Sequence, residues 1–403
     1  MKTIDFSLEE KSDLYTEMRN CPLCDTADSM SILRFDNFKF LTDSPDFSKT
    51  VDIDIHICNQ CATIYNNPVY TEQGFKNLFS EMAHSYGMTN ERSREQVAYI
   101  NDIGVLKDAK SVLDLGCYRG DLLSHFSDEM EKDGIDIDLP SIEIAKQRLP
   151  YARFFCQDFE KFNTGKKYDL IVMLHVLEHL KNPLEALINI LSAAHSKTKL
   201  LIEVPILENG FTNDVNGFFS AQHLTHFSRA SLKNFFNKAG WEILRIDEQE
   251  DYNGARVLAT PNKTPQVHKA KTNQDLGTLY SYFQHWYGVL QTIDKKLSSI
   301  SEKEKYIIWG AGLHTEFLFN KTSFFRGNRQ AKFLFFDSDP AKIGGTYRGI
   351  PIVAPFSTTE EISVDTPIVI SSYRGSEVMK KQCIKHGWSE NNIISFYDHY
   401  KLY

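Results

Sequence analysis

The stretch that decides the fold is SVLDLGCYRGD, residues 111–121. An apolar strand around Asp114 runs into a turn with Gly116 and Gly120, and a helical pattern follows. Such a turn brings backbone amides against a ligand, because glycine is used where a side chain would collide. The G-x-x-x-G spacing lacks the central glycine of a GxGxxG fingerprint, which disfavours a pyrophosphate-binding dinucleotide site here.

A second carboxylate lies at the end of the next predicted strand. Asp136 follows Asp114 by 22 residues, about the ~20-residue separation of an acid that binds ribose hydroxyls. The two acids therefore suit a cofactor that carries both an amine and a ribose.

Strand-like and helix-like segments alternate around this turn, from 106 to about 259. This alternation predicts an α/β fold with a parallel, doubly wound sheet. The predicted strands are 111–115, 132–137, 152–156, 168–174 and 199–204. A second alternation, with strands at 306–309, 332–336, 367–371 and 393–396, predicts a smaller α/β domain at the end of the chain.

Three segments, DLGCYRG at 114–120, GIDID at 134–138 and QDF at 157–159, resemble in order the first three motifs of class I S-adenosylmethionine (SAM) methyltransferases. The resemblance implies a Rossmann-like domain in which the glycine loop holds the methionine and ribose portion of SAM. It also implies that Asp136 binds the ribose and that Asp158 with Phe159 contacts the adenine. Tyr118 departs from the pattern, and a Rossmann domain without a nucleotide is the alternative. The expected cofactor-binding residues are Asp114, Gly116, Cys117, Gly120, Asp136, Asp158, Phe159 and His175.

Two CxxC pairs stand near the start of the chain, Cys21 with Cys24 and Cys58 with Cys61. Each CxxC turn points two thiolates at one position, and two such turns complete a closed tetrahedral site typical of structural Zn²⁺. Four thiolates leave no open coordination position, so this metal is expected to do no chemistry. A redox pair and unligated core cysteines are the alternatives.

The second CxxC pair, followed by Asn67-Pro68, Leu78 and Ser85-Tyr86, is similar to the N-terminal domain of sugar C-methyltransferases of deoxysugar pathways. This resemblance implies a zinc-binding domain at 1–70, a SAM methyltransferase domain with a helical lead-in at 71–260, a linker and amphipathic helix at 261–305, and a Rossmann-like domain at 306–403. It also implies a sugar acceptor, nucleotide-linked or a precursor of a surface polysaccharide or natural product. The Gly-x-Gly turn at 310–312 is a partial dinucleotide fingerprint, so an NAD-dependent oxidoreductase is an alternative.

Histidines follow the fourth and fifth predicted strands, in HVLEH at 175–179 and QHLTHFS at 222–228. Reacting groups collect at the carboxyl ends of parallel strands, and imidazole titrates near neutral pH. The resemblance places both segments in the substrate pocket, although Gln222 stands where C-methylating members have Glu. The candidate general bases are His179, His223, His226 and Tyr86, with His84 nearby.

Other interpretations of the HxxEH segment remain open. Glu178 and His179 could hold a divalent metal for O-methylation, or form a structural cap. The same letters read as an inverted zinc-protease motif, but that motif needs a helix. A non-catalytic nucleotide-binding protein is the alternative from another functional class.

Composition narrows the class of protein. The 403 residues carry 45 Lys and Arg against 53 Asp and Glu, a net charge of −8, which argues against nucleic-acid and membrane-surface partners. No apolar run approaches the roughly 18 residues of a membrane helix. Seven cysteines without a signal peptide indicate a reducing compartment, so a cytosolic soluble protein is expected.

A 3.5-residue apolar period from Leu279 to Ile300 predicts a helix packed between two domains, with a homodimer seam as the alternative.

Overall fold

The computed structural model describes residues 2–6, 14–41, 47–79, 90–159, 161–212, 218–248, 254–262, 272–300, 303–325, 332–357, 362–372 and 375–397. The strands within these ranges form three large sheets and one small two-stranded sheet. None of the helices described there is long and apolar enough to cross a membrane.

The N-terminal sheet is built around two long antiparallel strands. Side chains alternate across a strand, and the alternate positions Val51, Ile53, Ile55 and Ile57 of the second long strand are buried. The elements of this part are β1 (Lys2–Phe6), β2 (Thr16–Glu17), β3 (Ser29–Leu41), β4 (Phe47–Cys58), β5 (Ile64–Asn66), β6 (Val69–Tyr70), α1 (Glu72–Phe79) and α2 (Asn90–Asp102). Strand β4 pairs with β1, β3 and β5.

The central sheet contains the segment that decides the fold. Its elements are β7 (Ser111–Leu115), β8 (Glu131–Asp136), α3 (Leu139–Arg148), β9 (Arg153–Cys156), β10 (Tyr168–Leu174), α4 (Pro183–Ile190), β11 (Ala194–Pro205), β12 (Thr225–His226), α5 (Arg229–Ala239), β13 (Trp241–Glu248) and β14 (Gly254–Pro261). The strand order is β13-β14-β11-β10-β7-β8-β9, with β7 to β11 parallel and β14 antiparallel to both of its neighbours.

This sheet has its topological switch point at β7. Chain order runs from β7 to β8 and β9 on one side, while β10 and β11 lie on the other. Ligands of open α/β sheets bind outside the carboxyl ends of the strands at such a point. The predicted doubly wound sheet is confirmed, and strands 111–115 and 168–174 match residue for residue.

The C-terminal sheet confirms the second predicted α/β unit. Its elements are α6 (Thr272–Ser298), β15 (Tyr306–Trp309), α7 (Leu313–Lys321), β16 (Phe333–Phe336), β17 (Thr346–Tyr347), β18 (Ile350–Val353), β19 (Ile368–Ile370), α8 (Ser376–Lys385) and β20 (Ile393–Ile394). The strand order is β17-β18-β16-β15-β19-β20. Strand β20 ends at Ile394, two residues short of the predicted 393–396.

The long helix α6 forms where the apolar period predicts a helix, and part of its apolar seam packs against other elements of the chain. Trp286, Ile293 and Leu297 of its apolar seam are buried in one cluster with Phe35 of β3 and Phe317 of α7. These three seam residues are therefore covered within the chain, and the homodimer seam stays an alternative prediction. The predicted linker lies largely outside the described residues, at 263–271, and α6 already begins at Thr272.

One strand departs from the expected division of the chain. The two-residue strand β12 pairs antiparallel with β5, with Thr225 opposite Tyr65 and His226 opposite Ile64. The N-terminal sheet thus takes a strand from the middle of the sequence and extends beyond 1–70. A long-range pairing of two residues leaves no periodic signal in the sequence.

Candidate functional site

The loop after β7 packs directly against the turn after β10. Gly116 and Gly120 have positive φ angles of 84° and 74°, which glycine adopts without steric cost. A Cβ atom at Gly116 would lie 2.3 Å from Cγ2 of Val176. Glycine at 116 therefore lets the predicted cofactor loop contact the HVLEH segment, residues 175–179.

Two buried carboxylates line this loop. Asp136 accepts hydrogen bonds from the backbone N–H groups of Tyr118 and Asp138, each at 2.9 Å. Asp114 is only 4% exposed, and burial together with the charges of Asp136 and Asp121 raises its pKa to about 8. Burial also raises the pKa of Asp136. Neighbouring buried acids are costly unless a cation or hydrogen-bond donors join them, and a cofactor with an ammonium group and ribose hydroxyls would supply both.

Of the remaining predicted cofactor residues, Cys117 and Phe159 are packed in the interior and Asp158 lies at the edge of the sheet. The Cys117 side chain is buried, and its sulfur would lie 2.7 Å from a Cβ at Gly134, so it packs beneath the loop. Phe159 is buried in the apolar core of the central sheet. Asp158 lies just beyond the carboxyl end of β9, at the expected sheet edge, and its contact with adenine stays a prediction.

His175 lies between two carboxylates in a left-handed backbone conformation, with φ of 55°. Its Nδ1 is 3.2 Å from Oε1 of Glu178, and its Nε2 is 2.8 Å from Oε1 of Glu203. Its backbone N–H donates to the Glu203 carbonyl. Non-glycine residues in such conformations cluster at functional sites. Each ring nitrogen of His175, a predicted cofactor residue, therefore lies within hydrogen-bond distance of a buried glutamate.

Glu203 is a member of this network that the sequence reasoning missed. It is buried at the end of β11 and accepts hydrogen bonds from Nε of Arg256 at 2.6 Å and Nε2 of Gln96 at 3.1 Å. A glutamate inside the apolar run LLIEVP, residues 200–205, was the available signal, because buried charges are retained only when paired.

Glu178, His179 and His223 form the chemical centre of this sheet edge. One ligand atom from each lies within 4.8 Å of the others, and the two imidazole centroids are 5.0 Å apart. Nδ1 of His179 is 2.8 Å from the Gln222 carbonyl, and Nδ1 of His223 is 2.9 Å from the Phe218 carbonyl. A carbonyl only accepts, so each Nδ1 carries the proton and, in the neutral ring, Nε2 carries the lone pair.

The surroundings of Glu178 and of His223 shift their pKa values, so that the two groups differ in charge at neutral pH. Burial opposes ionisation of Glu178, but the His175 hydrogen bond and the charges of His179, His175 and His223 hold the pKa of Glu178 at about 2. Burial and the neighbouring His179 lower the pKa of His223 to about 4. At neutral pH the site therefore contains a carboxylate beside a neutral imidazole, which can accept a proton or bind a cation.

The other candidate bases are placed differently. His226 is 3% exposed and contacts the rings of Phe218 and Phe219. Its Nε2 lies 2.9 Å from Oδ1 of Asn66, and burial holds its pKa well below the ordinary value. This position suits holding β12 against the N-terminal sheet. Tyr86 and His84 lie outside the described residues.

The four predicted zinc ligands converge in one cluster. The Sγ atoms of Cys21, Cys24, Cys58 and Cys61 all lie within 4.8 Å of one another, and the Cys21–Cys61 and Cys24–Cys58 pairs are each 3.5 Å apart. A tetrahedral site with Zn–S bonds of ~2.3 Å places its sulfurs about 3.8 Å apart, so the cluster fits the ion.

The two cysteine turns repeat the same backbone geometry. The residues after each CxxC, Asp25 and Ala62, have φ angles of 62° and 56°, and their N–H groups donate to the carbonyls of Cys21 and Cys58 at 2.9 Å. The hydrogen bond with Cys21 lowers the pKa of Cys61 to about 5, while the same bond and burial raise the pKa of Cys21. Only a cation would let all four thiols ionise together.

A family model and a viral relative match part of this chain. Residues 88–246 match the family model described as methyltransferase domain. The chain is 30% identical over 169 residues to "Putative methyltransferase 235L" of Invertebrate iridescent virus 6, a match that covers 40% of this chain and 63% of that protein. The chain thus spans less than two thirds of that relative's length.

Two solved structures illustrate the structural matches. A S-adenosylmethionine-dependent methyltransferase from Clostridium acetobutylicum ATCC 824 is 10% identical, with a TM-score of 0.37, over 47% of this chain and 98% of that chain. Magnesium protoporphyrin IX methyltransferase (ChlM) from Synechocystis PCC 6803 with bound SAH is 19% identical, with a TM-score of 0.34, over 43% of this chain and 83% of that chain.

Proposed function

We propose that the protein transfers a methyl group from SAM to a sugar, nucleotide-linked or a precursor of a surface polysaccharide or natural product. One observation carries the proposal: the acidic glycine loop after β7 and the turn after β10 follow adjoining strands, with Gly116 packed against Val176 and His223 close to Glu178 and His179 of that turn. A donor in the loop and an acceptor beside the imidazoles would then share one crevice.

The loop residues would bind and orient the cofactor. When bound, SAM supplies an electrophilic methyl group on a positively charged sulfur. Asp136, already fixed by two backbone N–H groups, would accept hydrogen bonds from the ribose hydroxyls. Asp114 would face the cofactor's ammonium group, and that positive charge would offset the burial that raises the Asp114 pKa. Such orientation is the main contribution a protein makes to a displacement of this kind.

His179 would remove the acceptor's proton. Its Nδ1 is fixed by the Gln222 carbonyl, so Nε2 can accept a proton, and Glu178 lies 4.0 Å from that Nε2. The adjacent carboxylate would stabilise the imidazolium that forms. His223, neutral because of burial, is the second base of the pair. A general base of this kind contributes about 10²–10⁴-fold in rate.

The C-terminal sheet offers polar groups for the rest of a nucleotide-linked acceptor. Asp337 follows β16 and accepts hydrogen bonds from the N–H groups of Ala311 at 2.8 Å and Asp339 at 2.9 Å. This is the same arrangement as Asp136 beside the first loop, at the carboxyl end of the strand next to a glycine turn. It supports a nucleotide or sugar subsite at this edge.

A metal-assisted O-methyltransferase is the second candidate, favoured by the Glu178–His179–His223 cluster. Oε2 of Glu178 is buried without a hydrogen-bond partner, and both imidazoles donate Nδ1–H to carbonyls. Metal-binding histidines commonly do the same with their second nitrogen. The cysteine site would remain a separate, structural zinc site.

The test uses deuterated methyl-SAM, pooled sugar nucleotides and mass spectrometry of the products. We expect labelled sugar from the wild type and, from His179→Asn, a kcat lower by roughly 100-fold or more with SAM affinity unchanged within a few-fold. His195→Asn is the matched control, since His195 bonds Asp169 at the opposite end of the sheet.

Three results would contradict the proposal. Full turnover by His179→Asn would transfer the base role to His223. Activity that requires added Mn²⁺ or Mg²⁺, and is lost on chelation while the zinc stays bound, would establish the metal-assisted candidate. Cofactor binding without any labelled product would indicate a non-catalytic nucleotide-binding protein.

A further inference from the structure

Arg19 connects three segments that are distant in sequence. It lies two residues before Cys21, and its guanidinium group donates to three backbone carbonyls. Nε donates to Asn66 at 3.0 Å, Nη1 to Lys181 at 2.7 Å and Nη2 to Leu224 at 2.5 Å. A planar fork of fixed donors is required for such a contact, and a lysine ammonium cannot reproduce it.

Two of these carbonyls belong to the segments that carry the histidines. Lys181 lies two residues after His179, and Leu224 directly follows His223. The Leu224 N–H also donates to the Glu178 carbonyl at 2.7 Å. Arg19 therefore binds two segments that are also hydrogen-bonded to each other. Its position thus bears on the separation of the two imidazoles that these segments carry.

The third carbonyl, that of Asn66, connects Arg19 and the two histidine segments to the four-cysteine site. The Asn66 N–H donates to the Leu224 carbonyl at 3.0 Å, and the Arg19 guanidinium lies 5.2 Å from the centre of the Tyr65 ring. Tyr65 packs in the same buried cluster as Cys21, Cys58 and Cys61. The backbone that carries Arg19 thus enters the first cysteine turn directly.

We propose that Arg19 is a positioning residue that couples the four-cysteine site to the His179–His223 pair. Metal bound by the cysteines fixes the turn that follows Arg19, and Arg19 in turn fixes both histidine segments. Loss of the metal or of the guanidinium then lowers turnover while cofactor affinity is kept, because Asp114 and Asp136 belong to β7 and β8. The effect on turnover rests on the proposed function, whereas the mechanical coupling does not.

The kinetic test compares Arg19→Ala with Lys238→Ala. Lys238 is a matched control, since its Nζ donates to the Leu23 carbonyl of the same cysteine turn at 2.6 Å but comes from α5. Misplacement of reacting groups by about 1 Å costs up to ~10²-fold in rate. We expect Arg19→Ala to lower kcat at least tenfold, with SAM affinity within about twofold of wild type.

Rescue separates positioning from a general loss of stability. Added methylguanidinium should restore part of the kcat of Arg19→Ala, and Arg19→Lys should remain impaired. Lys238→Ala should keep wild-type kcat. Wild-type kcat in Arg19→Ala, or an equal loss of kcat in both alanine variants, would overturn the coupling.

Hydrogen–deuterium exchange provides a readout that needs no acceptor. In Arg19→Ala, and in wild type stripped of zinc, peptides spanning 176–181 and 218–227 should exchange at least tenfold faster, while 111–136 should be unchanged. Unchanged exchange at 218–227 would overturn the coupling. This exchange pattern in a protein that methylates no sugar would support the coupling and contradict the proposed function instead.

Discussion

Asp136 and Asp169 are both carboxylates that accept two backbone N–H hydrogen bonds, but they lie at opposite ends of the central sheet. Asp136 accepts a hydrogen bond from the glycine loop after β7, whereas Asp169 accepts hydrogen bonds from the N–H groups of Lys110 at 2.9 Å and Ser111 at 3.1 Å, where β7 begins. Hydrogen bonds to charged groups contribute about 1.5–3 kcal/mol each. Asp136→Ala should therefore weaken SAM binding at least tenfold in calorimetry. Asp169→Ala should lower stability and leave the affinity unchanged.

Equal SAM affinity in Asp136→Ala and wild type would remove this residue from the cofactor site. A loss of affinity in Asp169→Ala as large as in Asp136→Ala would show that the effect comes from the stability of the sheet. The sequence predicted Asp136 because one acid followed another at a strand-to-strand spacing. It could not predict Arg19, whose carbonyl partners lie up to 205 residues away in sequence and have no side-chain signature.

The contact between the loop after β7 and the turn after β10 determines which substitutions the loop tolerates. Gly104 and Gly116 share a left-handed backbone, with φ of 71° and 84°, but a Cβ at Gly104 would meet nothing within 4 Å. Gly104→Ala should cost only the conformational penalty of about 1–2 kcal/mol. Gly116→Ala should cost a further ~1–3 kcal/mol from overpacking against Val176.

Urea unfolding measures both costs. Adding Val176→Ala to Gly116→Ala should recover part of the loss, because the clash is with Cγ2 of that valine. Equal destabilisation by the two single glycine variants would mean that the loop and the turn are not in contact. Strands β7 and β10 were predictable because each is an apolar run ending in a turn. Strand β12 was not, because two residues carry no periodicity.

The four-cysteine site links two parts of the molecule. Its cysteines pack in one apolar cluster with residues of the central sheet and its helices, such as Phe235 of α5. We therefore predict about one zinc per chain by metal analysis. Structural zinc supplies folding free energy, so Cys58→Ser should lose the metal and lower the unfolding midpoint of both parts together.

Cys156→Ser is the matched control, because Cys156 is an exposed cysteine outside the cluster. It should keep both the zinc and the stability. Zinc-free protein with wild-type stability would contradict a structural role for the metal. The CxxC spacing made the four-cysteine cluster predictable from sequence, whereas its packing against the central sheet depends on the tertiary fold.

Titration of the wild-type protein with SAM and with NAD, in separate calorimetric experiments, tests most directly whether the loop after β7 is a SAM site. We expect saturable binding of one SAM per chain, with NAD binding much weaker, because the G-x-x-x-G turn and the acids Asp114 and Asp136 suit an ammonium group and a ribose rather than a pyrophosphate. Preferential binding of NAD that is lost in Asp136→Ala, or no binding of SAM at all, would contradict it.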